Sequence, residues 1–146
     1  MAQRTILIKS TPEGPIQKEW IMDAAVRPGM LVEYASSTRI QVLSATIDPT
    51  MRIVVECVDT EYDATYASGE QIPFMVAKRG DEVYAMATQP ADGTLSATDK
   101  LVSNGAGFLI GFDPTGTLAA GEALAVALED KSFTDGVVAL VKVEVL

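Results

Sequence analysis

The sequence predicts an all-β protein: a single small β-sandwich or β-barrel-like domain of short antiparallel strands with an extended N-terminal arm. Two observations support this fold class. Short apolar runs separated by turn residues recur at intervals of about ten residues, the spacing typical of a sandwich or barrel. The closing segment, GVVALVKVEVL, alternates Val141, Val143 and Val145 with Lys142 and Glu144. This period of two is typical of a half-buried strand.

Residues 1–26 differ from the rest and are assigned to an arm that orders when it packs on something, ahead of a β domain over residues 27–146. IQKEWIMDAAV is the best of few helical candidates, but an isolated helix of this length is marginal in water. RTILIKS alternates as a strand added to a partner's sheet edge would. Trp20 is of a type enriched at interfaces, and whether it anchors in a neighbour or folds back on its own domain stays open.

From residue 27 onward, turn signals bound each apolar run. RPGMLVEY opens with the turn dipeptide Pro28-Gly29 and continues as a strand. TRIQVLSATI follows as a half-buried strand, DPTM as a turn, and RIVVECV as a strand rich in β-branched residues. GEALAVALED is interpreted as a strand or a mixed segment. The segments IPFMVAK and EVYAMAT complete the set of strands near the middle of the chain.

The tripeptide Arg79-Gly80-Asp81 lies between these last two runs. In adhesive proteins the same three residues form an integrin ligand on an exposed loop. A glycine-aspartate pair between two strands is also a hairpin-turn signature. Because three residues recur often by chance, we interpret the tripeptide as a hairpin turn.

Composition narrows the range of partners. The chain has 146 residues, about one domain, and a net charge of −9. Its lysines and arginines are scattered, so we expect neither nucleic acid nor an anionic membrane surface as a partner. No apolar run approaches the roughly 18 to 20 residues that span a bilayer. The first residues lack the apolar core of a signal peptide, so we expect synthesis in a cytoplasm-like compartment.

The chain contains no histidine, which argues against an enzyme. Histidine is the usual general base near neutral pH and the commonest metal ligand, so Ser-His-Asp and Cys-His machinery and ordinary zinc sites are excluded. An enzyme would have to use carboxylates such as Asp59, Asp81 and Glu82, and no defined spacing pairs them. The single cysteine, Cys57, is in phase with a strand's apolar face and is interpreted as a small buried hydrophobe. We expect no cofactor.

The segment DTEYDATYASGE is the best metal candidate, because calcium prefers oxygen ligands. Asp59, Glu61 and Asp63 occupy positions one, three and five of a calcium loop, and Glu70 occupies position twelve. Ala64 stands where the loop requires glycine, and neither flank is helical. An EF-hand is excluded, a polar solvated loop is favoured, and no metal is expected.

Two further motifs have simple interpretations. DPTGTL is similar to the aspartyl-phosphate motif of P-type cation pumps, but that chemistry needs a large α/β domain and membrane helices, so the segment is interpreted as a turn. NGAGFL lacks the third glycine of a dinucleotide loop and precedes no helix.

Several segments together resemble small capsid decoration (cement) proteins of tailed bacteriophages. These are GEQIPFMVAKRGDEVYAM, DKLVSNGAGFL, VALEDKS and the closing VKVEVL. They match a pattern of an arginine-glycine-aspartate turn before a VYA strand, a GD-x-L-V-S element, a G-x-G turn, a G-x-ALE strand and a terminal V-x-V. Asp99-Lys100 stands where that pattern has Gly-Asp. The resemblance covers roughly residues 27–146.

The resemblance implies a virion protein that binds the outside of an assembled phage capsid, often as a trimer at capsomer junctions. Its partners would be the major capsid protein and further copies of itself. The N-terminal segment would run along the capsid or clasp a neighbour, with Ile6, Ile8, Trp20, Ile21 and Met22 as the expected interface residues. Deleting residues 1–26 should then leave a folded domain that no longer holds capsids.

Three alternatives stay open. A head fibre base or a tail component is the nearest, because similar β modules recur across phage particles. A carbohydrate- or ligand-binding β module would need exposed aromatic residues clustered on one face, whereas the aromatics, 6% of the chain, are dispersed along the sequence. An enzyme, perhaps a lyase or a peptidase-like domain, is the least favoured.

Overall fold

The computed structural model describes residues 6–9, 16–44, 50–56, 64–89, 93–112, 123–134 and 137–146. Within these ranges the chain is all-β, as the sequence predicts, and contains no helix that could span a membrane. The strands are β1 Leu7–Lys9, β2 Ile16–Met22, β3 Val32–Tyr34, β4 Arg39–Val42, β5 Arg52–Val54, β6 Gln71–Val76, β7 Glu82–Thr88, β8 Thr94–Leu95, β9 Lys100–Ser103, β10 Leu109–Gly111, β11 Ala125–Ala127, β12 Lys131–Ser132 and β13 Val138–Val145.

Six strands form a sheet that closes on itself like a barrel. The order is β1-β7-β10-β9-β11-β13, and β13 also pairs with β7. The antiparallel β7–β13 ladder runs from Val138↔Thr88 to Glu144↔Glu82. β1 and β10 pair with the opposite edge of β7, β1 at Glu82 and Val83 and β10 at Ala87, so the closed ring consists of β7, β10, β9, β11 and β13. Ring closure removes the open edges through which a flat sheet pairs with other chains.

Alternate side chains of the ring strands fill the barrel. β13 contributes Val141 and Val143, and β7 contributes Val83, Ala85 and Ala87, all fully buried. The side chains are small because a ring of so few strands encloses a narrow interior. The period of two predicted for the C-terminal segment is therefore confirmed.

A second sheet of five strands, in the order β3-β4-β2-β6-β5, packs against the outside of the barrel. Met22, Ile40, Ile72 and Phe74 form the centre of its inner face and are fully buried. They belong to the same apolar cluster as Met86, which projects outward from the barrel strand β7. The molecule thus has two β layers and two apolar clusters: one lies between the layers, and the other fills the barrel and also includes Ile53 of β5 and Met75 of β6. A small sheet of β8 and β12 completes the described strands.

Residues 16–22 form the middle strand, β2, of the five-stranded sheet, so this part of the predicted arm belongs to the β body and the helical candidate in it is a strand. β6 pairs with β2 from Ile16 to Ile21, and β4 pairs with it at Ile21 and Met22. The segment forms a strand because its side chains alternate between buried and exposed. Met22 is fully buried and Ile21 is 38% exposed, the alternation that a strand produces.

Pairing between strands is mostly antiparallel, as predicted, but two pairs are parallel. β2 is parallel to β4, and β10 is parallel to β7. Parallel neighbours need a crossover connection rather than a tight turn. Turn spacing along the sequence reveals tight turns and not crossovers, so these two pairs could not be predicted.

Other predicted strands lie where the apolar runs placed them. β3, β4 and β5 fall within RPGMLVEY, TRIQVLSATI and RIVVECV, and β11 falls within GEALAVALED. The Pro28-Gly29 turn is confirmed, with a φ of +92° at Gly29. A Cβ added at Gly29 would lie 2.5 Å from Cδ2 of Leu140, so glycine also permits close contact with β13. Asp48 and Pro49, the first half of the predicted DPTM turn, lie outside the described residues.

Arg79-Gly80-Asp81 forms a turn between β6 and β7, as expected. The fully buried Asp81 accepts a 2.9 Å hydrogen bond from the Lys78 N–H through Oδ2, and its own N–H donates to the Lys78 carbonyl at 3.0 Å. Gly80 has a φ of +91°, a region that favours glycine. The hairpin expectation is wrong, because β6 and β7 belong to different sheets and do not pair. The turn instead carries the chain from one layer to the other.

Candidate interaction surface

Three aromatic rings from three strands meet on the five-stranded sheet. The ring centroids of Trp20 in β2 and Tyr34 in β3 are 4.7 Å apart. Phe74 in β6 lies 6.4 Å from Trp20 and 6.2 Å from Tyr34, edge-on to both. Ring pairs in this geometry contribute about 0.5–1.5 kcal/mol each beyond the area they bury, so the three side chains hold one another in place.

Two cations border these rings. The Lys18 ammonium donates a 3.0 Å hydrogen bond to the Tyr34 hydroxyl, and the guanidinium carbon of Arg52 lies 4.5 Å from the Tyr34 centroid. The Lys18 ammonium is 5.5 Å from that centroid, a distance that its bond to the hydroxyl already dictates. Arg52, rather than Lys18, is therefore the cation stacked on the ring. We call Lys18, Trp20, Tyr34, Arg52 and Phe74 the aromatic–cationic cluster.

The cations hold the pKa of Tyr34 below its ordinary value of 10.0. The largest cause is the hydrogen bond from Lys18, which stabilises the phenolate; burial opposes the shift, and Arg52 lowers the pKa further. The hydroxyl accepts the hydrogen bond from Lys18, and Tyr34 as a whole is 37% exposed.

The aromatic–cationic cluster is suited to binding a protein surface. Tryptophan, tyrosine and arginine are enriched among the contacts that dominate interface energies. Phe74 is fully buried, Trp20 is half-buried and Tyr34 is exposed. The cluster therefore contains both a buried ring and a ring that solvent can reach.

Three of the aromatic residues, which are dispersed along the sequence, come together in the structure, so the expectation that they are dispersed is corrected. Trp20, Tyr34 and Phe74 are far apart in sequence, but the β2–β6 register places Phe74 opposite Lys18, two residues from Trp20. Alternation along each strand was visible in the sequence, whereas the strand partners were not. The cluster meets the requirement for a carbohydrate-binding face only in part, because Tyr34 is its only aromatic ring more than one-third exposed.

A shallow depression of about 340 Å³ lies beside β2. It is lined by Glu19, Trp20, Ile21, Ser37, Thr38 and Gln71. The Gln71 side-chain amide donates a long, 3.4 Å hydrogen bond to the Glu19 carboxylate. The depression therefore combines an exposed apolar side chain, Ile21, with amide, carboxylate and hydroxyl groups.

The five residues predicted for an interface occupy different environments. Ile6 and Met22 are fully buried, in the barrel core and in the core between the layers. They cannot contact a partner without opening those cores, so their assignment is corrected. Trp20 and Ile21 remain reachable, as part of the aromatic–cationic cluster and of the depression. Ile8 lies in β1.

Several residues considered for metal or thiol chemistry lie outside the described residues. They are Cys57, Asp59, Glu61 and Asp63, together with the DPTGTL segment. Glu70, the last position of the candidate calcium loop, is described and exposed. Among the described residues, no group of three or more cysteines, aspartates or glutamates could hold a metal ion.

Two carboxylates considered for an enzyme have structural partners. Asp81 closes the turn before β7, and Glu82 forms a 3.1 Å ion pair with Lys142. In NGAGFL, the Asn104 side chain accepts hydrogen bonds from the backbone of Ala106 and Phe108. That segment is a tight turn between β9 and β10, so it leads into a strand, as expected, and not into a helix.

Comparison with known proteins bears on the fold. No family model and no curated protein matches the chain. Among solved structures, the chain is similar to the N base of head fibre gp8.5 of bacteriophage phi29, with a TM-score of 0.53 and 12% sequence identity. The similarity covers 91% of this chain and 95% of that chain. At this identity the two proteins share a fold over nearly their whole lengths.

Proposed function

We propose that this chain is a structural protein of a phage virion that binds the outer surface of the assembled capsid and stabilises it. The observation that carries the proposal is the similarity to a phage head fibre base over 91% of the chain. The sequence resemblance to capsid decoration proteins rests on turn and strand segments. It is a second, separate reason to propose a structural protein of a phage particle.

Stabilisation of the shell would follow from differential binding. A protein that binds the assembled capsid but not free capsid subunits shifts the equilibrium toward the assembled shell. The closed barrel and its attached sheet supply a rigid body for this role, and the aromatic–cationic cluster supplies contact residues. Localisation would be the capsid exterior, after synthesis in the host cytoplasm.

A trimer at capsomer junctions is the form we propose on the capsid. Three linked copies would contact the shell at three places, and the first contact raises the effective concentration for the others. Individually weak contacts would then hold the trimer firmly. Light scattering after size exclusion should show a trimer, or a monomer that trimerises when capsids are added.

The base of a head fibre is the second candidate, because the similar solved structure is the N base of such a fibre. The two candidates differ in number and in attachment. A decoration protein covers many equivalent sites with nothing beyond it, whereas a fibre base carries a further protein. Counting bound copies per capsid at saturation would distinguish them.

Sedimentation with purified capsids of the phage that encodes the chain tests the proposal. We expect saturable co-sedimentation, with stronger binding to expanded than to unexpanded capsids. Free capsid subunits serve as the control and should bind much more weakly. Absence of binding to either capsid form, at protein concentrations that saturate a micromolar site, would contradict the proposal.

A further inference from the structure

Within the part of the chain that the structure describes, the edge of β2 that faces β4 is paired over only part of its length. β6 pairs with β2 from Ile16 to Ile21, whereas β4 pairs with it only at Ile21 and Met22. The loop over residues 35–38 precedes β4, and β4 begins level with Ile21. Among the described strands, none pairs with this edge of β2 at residues 17–19.

Hydrogen bonds show which backbone groups point to that edge. The Met22 N–H donates to the Glu70 carbonyl at 3.0 Å, on the β6 side. Backbone groups alternate in direction along a strand, so the even-numbered residues of β2 point toward β6. The N–H and C=O groups of Gln17 and Glu19 consequently point toward the open edge.

Pro73 supports this orientation independently. It lies opposite Glu19 in the β2–β6 register. Its carbonyl accepts a 3.1 Å hydrogen bond from the Val55 N–H, on the side away from β2. Residues 19 and 73 are therefore a pair that exchanges no hydrogen bonds, and the Glu19 N–H can be removed without loss to the β2–β6 ladder.

The side chain of Glu19 gives this edge a negative charge. Glu19 is exposed, and its carboxylate accepts the long hydrogen bond from Gln71. Arg39, which shares that face of the sheet, is ion-paired with Asp23. A strand placed beside Glu19 would be favoured by a lysine or arginine at the facing position.

We infer that the open edge of β2 at residues 17–19 accepts an extended, basic segment of the capsid protein as an added strand. The inference rests on the proposed function for the identity of the partner. Gln17 and Glu19 pair with the backbone of the added strand, and a basic side chain of that strand lies beside the Glu19 carboxylate. The depression at Ile21, Ser37 and Thr38 receives a neighbouring side chain. A second copy fits less well, because two such edges would each present Glu19 on chains of net charge −9.

Two substitutions at one position separate backbone pairing from charge. Glu19→Pro removes the outward N–H but no β2–β6 hydrogen bond, so the sheet should persist. Glu19→Val removes the same carboxylate and keeps the N–H. In capsid co-sedimentation we expect Glu19→Val to weaken binding up to about fivefold. We expect Glu19→Pro to weaken it about tenfold more. Circular dichroism checks that both variants are folded.

Hydrogen exchange on the unaltered protein gives a test that needs no variant. The Gln17 and Glu19 amides should exchange more slowly with capsids present, whereas the Trp20 amide, which points toward β6, should not change. Capsid binding with unprotected amides and equal affinity of the two variants would overturn the inference and leave the proposed function intact. Failure of the unaltered protein to bind capsids would overturn both. Protection by concentrated protein alone would identify a second copy as the occupant and overturn the inference.

Discussion

The environment of Asp81 explains why Arg79-Gly80-Asp81 is a structural turn and not an exposed ligand. Its carboxylate is fully buried and accepts a hydrogen bond from the Lys78 N–H. The neighbouring Gly80 N–H donates to the Val145 carbonyl at 2.8 Å, and the Val145 N–H donates back to the Asp81 carbonyl. The tripeptide, which connects β6 in one layer to β7 in the other, is therefore hydrogen-bonded to the end of β13. A receptor could not reach the carboxylate without unfolding this turn.

We predict that Asp81→Ala lowers the free energy of unfolding by about 1–3 kcal/mol, because it removes a fully buried carboxylate that accepts a hydrogen bond from the partly buried Lys78 N–H. The exposed neighbour provides the control. Arg79→Ala should change the free energy of unfolding by less than about 0.5 kcal/mol. Urea denaturation of the three proteins measures both values, and equal stability of the two variants would contradict the structural role of Asp81.

Tyr34 should titrate below an ordinary tyrosine, because Lys18 stabilises its phenolate. A folded-state pKa below 10.0 means that ionisation of Tyr34 favours the folded state as pH rises through the lowered value toward 10.0. That contribution is lost when the pH falls below the lowered value. We predict that Lys18→Met moves the pKa of Tyr34 upward.

Ultraviolet absorbance of the phenolate, with Tyr34→Phe as the reference that identifies the signal, measures this shift. An unchanged titration curve in Lys18→Met would show that the hydrogen bond does not control the pKa of Tyr34.

Among the strands, β2 is the middle strand of the five-stranded sheet. Its inward side chains build the core between the layers, its outward side chains meet solvent, and part of one edge is open. Adjacent residues on this strand therefore have opposite roles. Met22 is fully buried, whereas Ile21 is 38% exposed on the other face.

We predict that Met22→Ala lowers the free energy of unfolding by about 2–5 kcal/mol through loss of buried contacts and creation of a cavity. Ile21→Ala, one residue away, should cost less than about 1 kcal/mol, because much of that side chain is already in water. Thermal denaturation followed by circular dichroism compares the two. Similar losses for both would contradict the assignment of opposite faces.

Deletion of residues 1–26 should prevent folding of the five-stranded sheet, because it removes β2 from between β4 and β6. This reverses the expectation from the sequence, which treated these residues as a separable arm. A two-dimensional NMR spectrum of the truncated chain should show poor dispersion. A well-dispersed spectrum would show that the remaining strands form a domain without β2.

Local patterns predicted the strands better than their partners. The alternation of Val141, Val143 and Val145 is a property of one segment, so the sequence alone predicted β13 and its buried face. The position of β2 depends on pairing with β6, about 50 residues away, which no local signal encodes. The aromatic–cationic cluster was missed for the same reason, since its members meet only when β2, β3, β5 and β6 are in register.

The whole molecule combines a closed barrel with a second sheet, and the two differ in how their edges are paired. Its closed barrel protects the ring strands from unwanted pairing, and the open edge of β2 lies in the sheet attached outside it. The aromatic–cationic cluster and the open edge of β2 therefore both lie in the second layer. This arrangement suits a protein that holds other proteins together, which is the role proposed for the chain on a capsid.

Electron cryomicroscopy of capsids mixed with the purified protein would show whether the chain attaches to the shell. The proposal predicts added density on the outer surface, shaped like the barrel with its attached sheet, at symmetry-related positions. An unaltered outer surface at saturating protein concentration would contradict it.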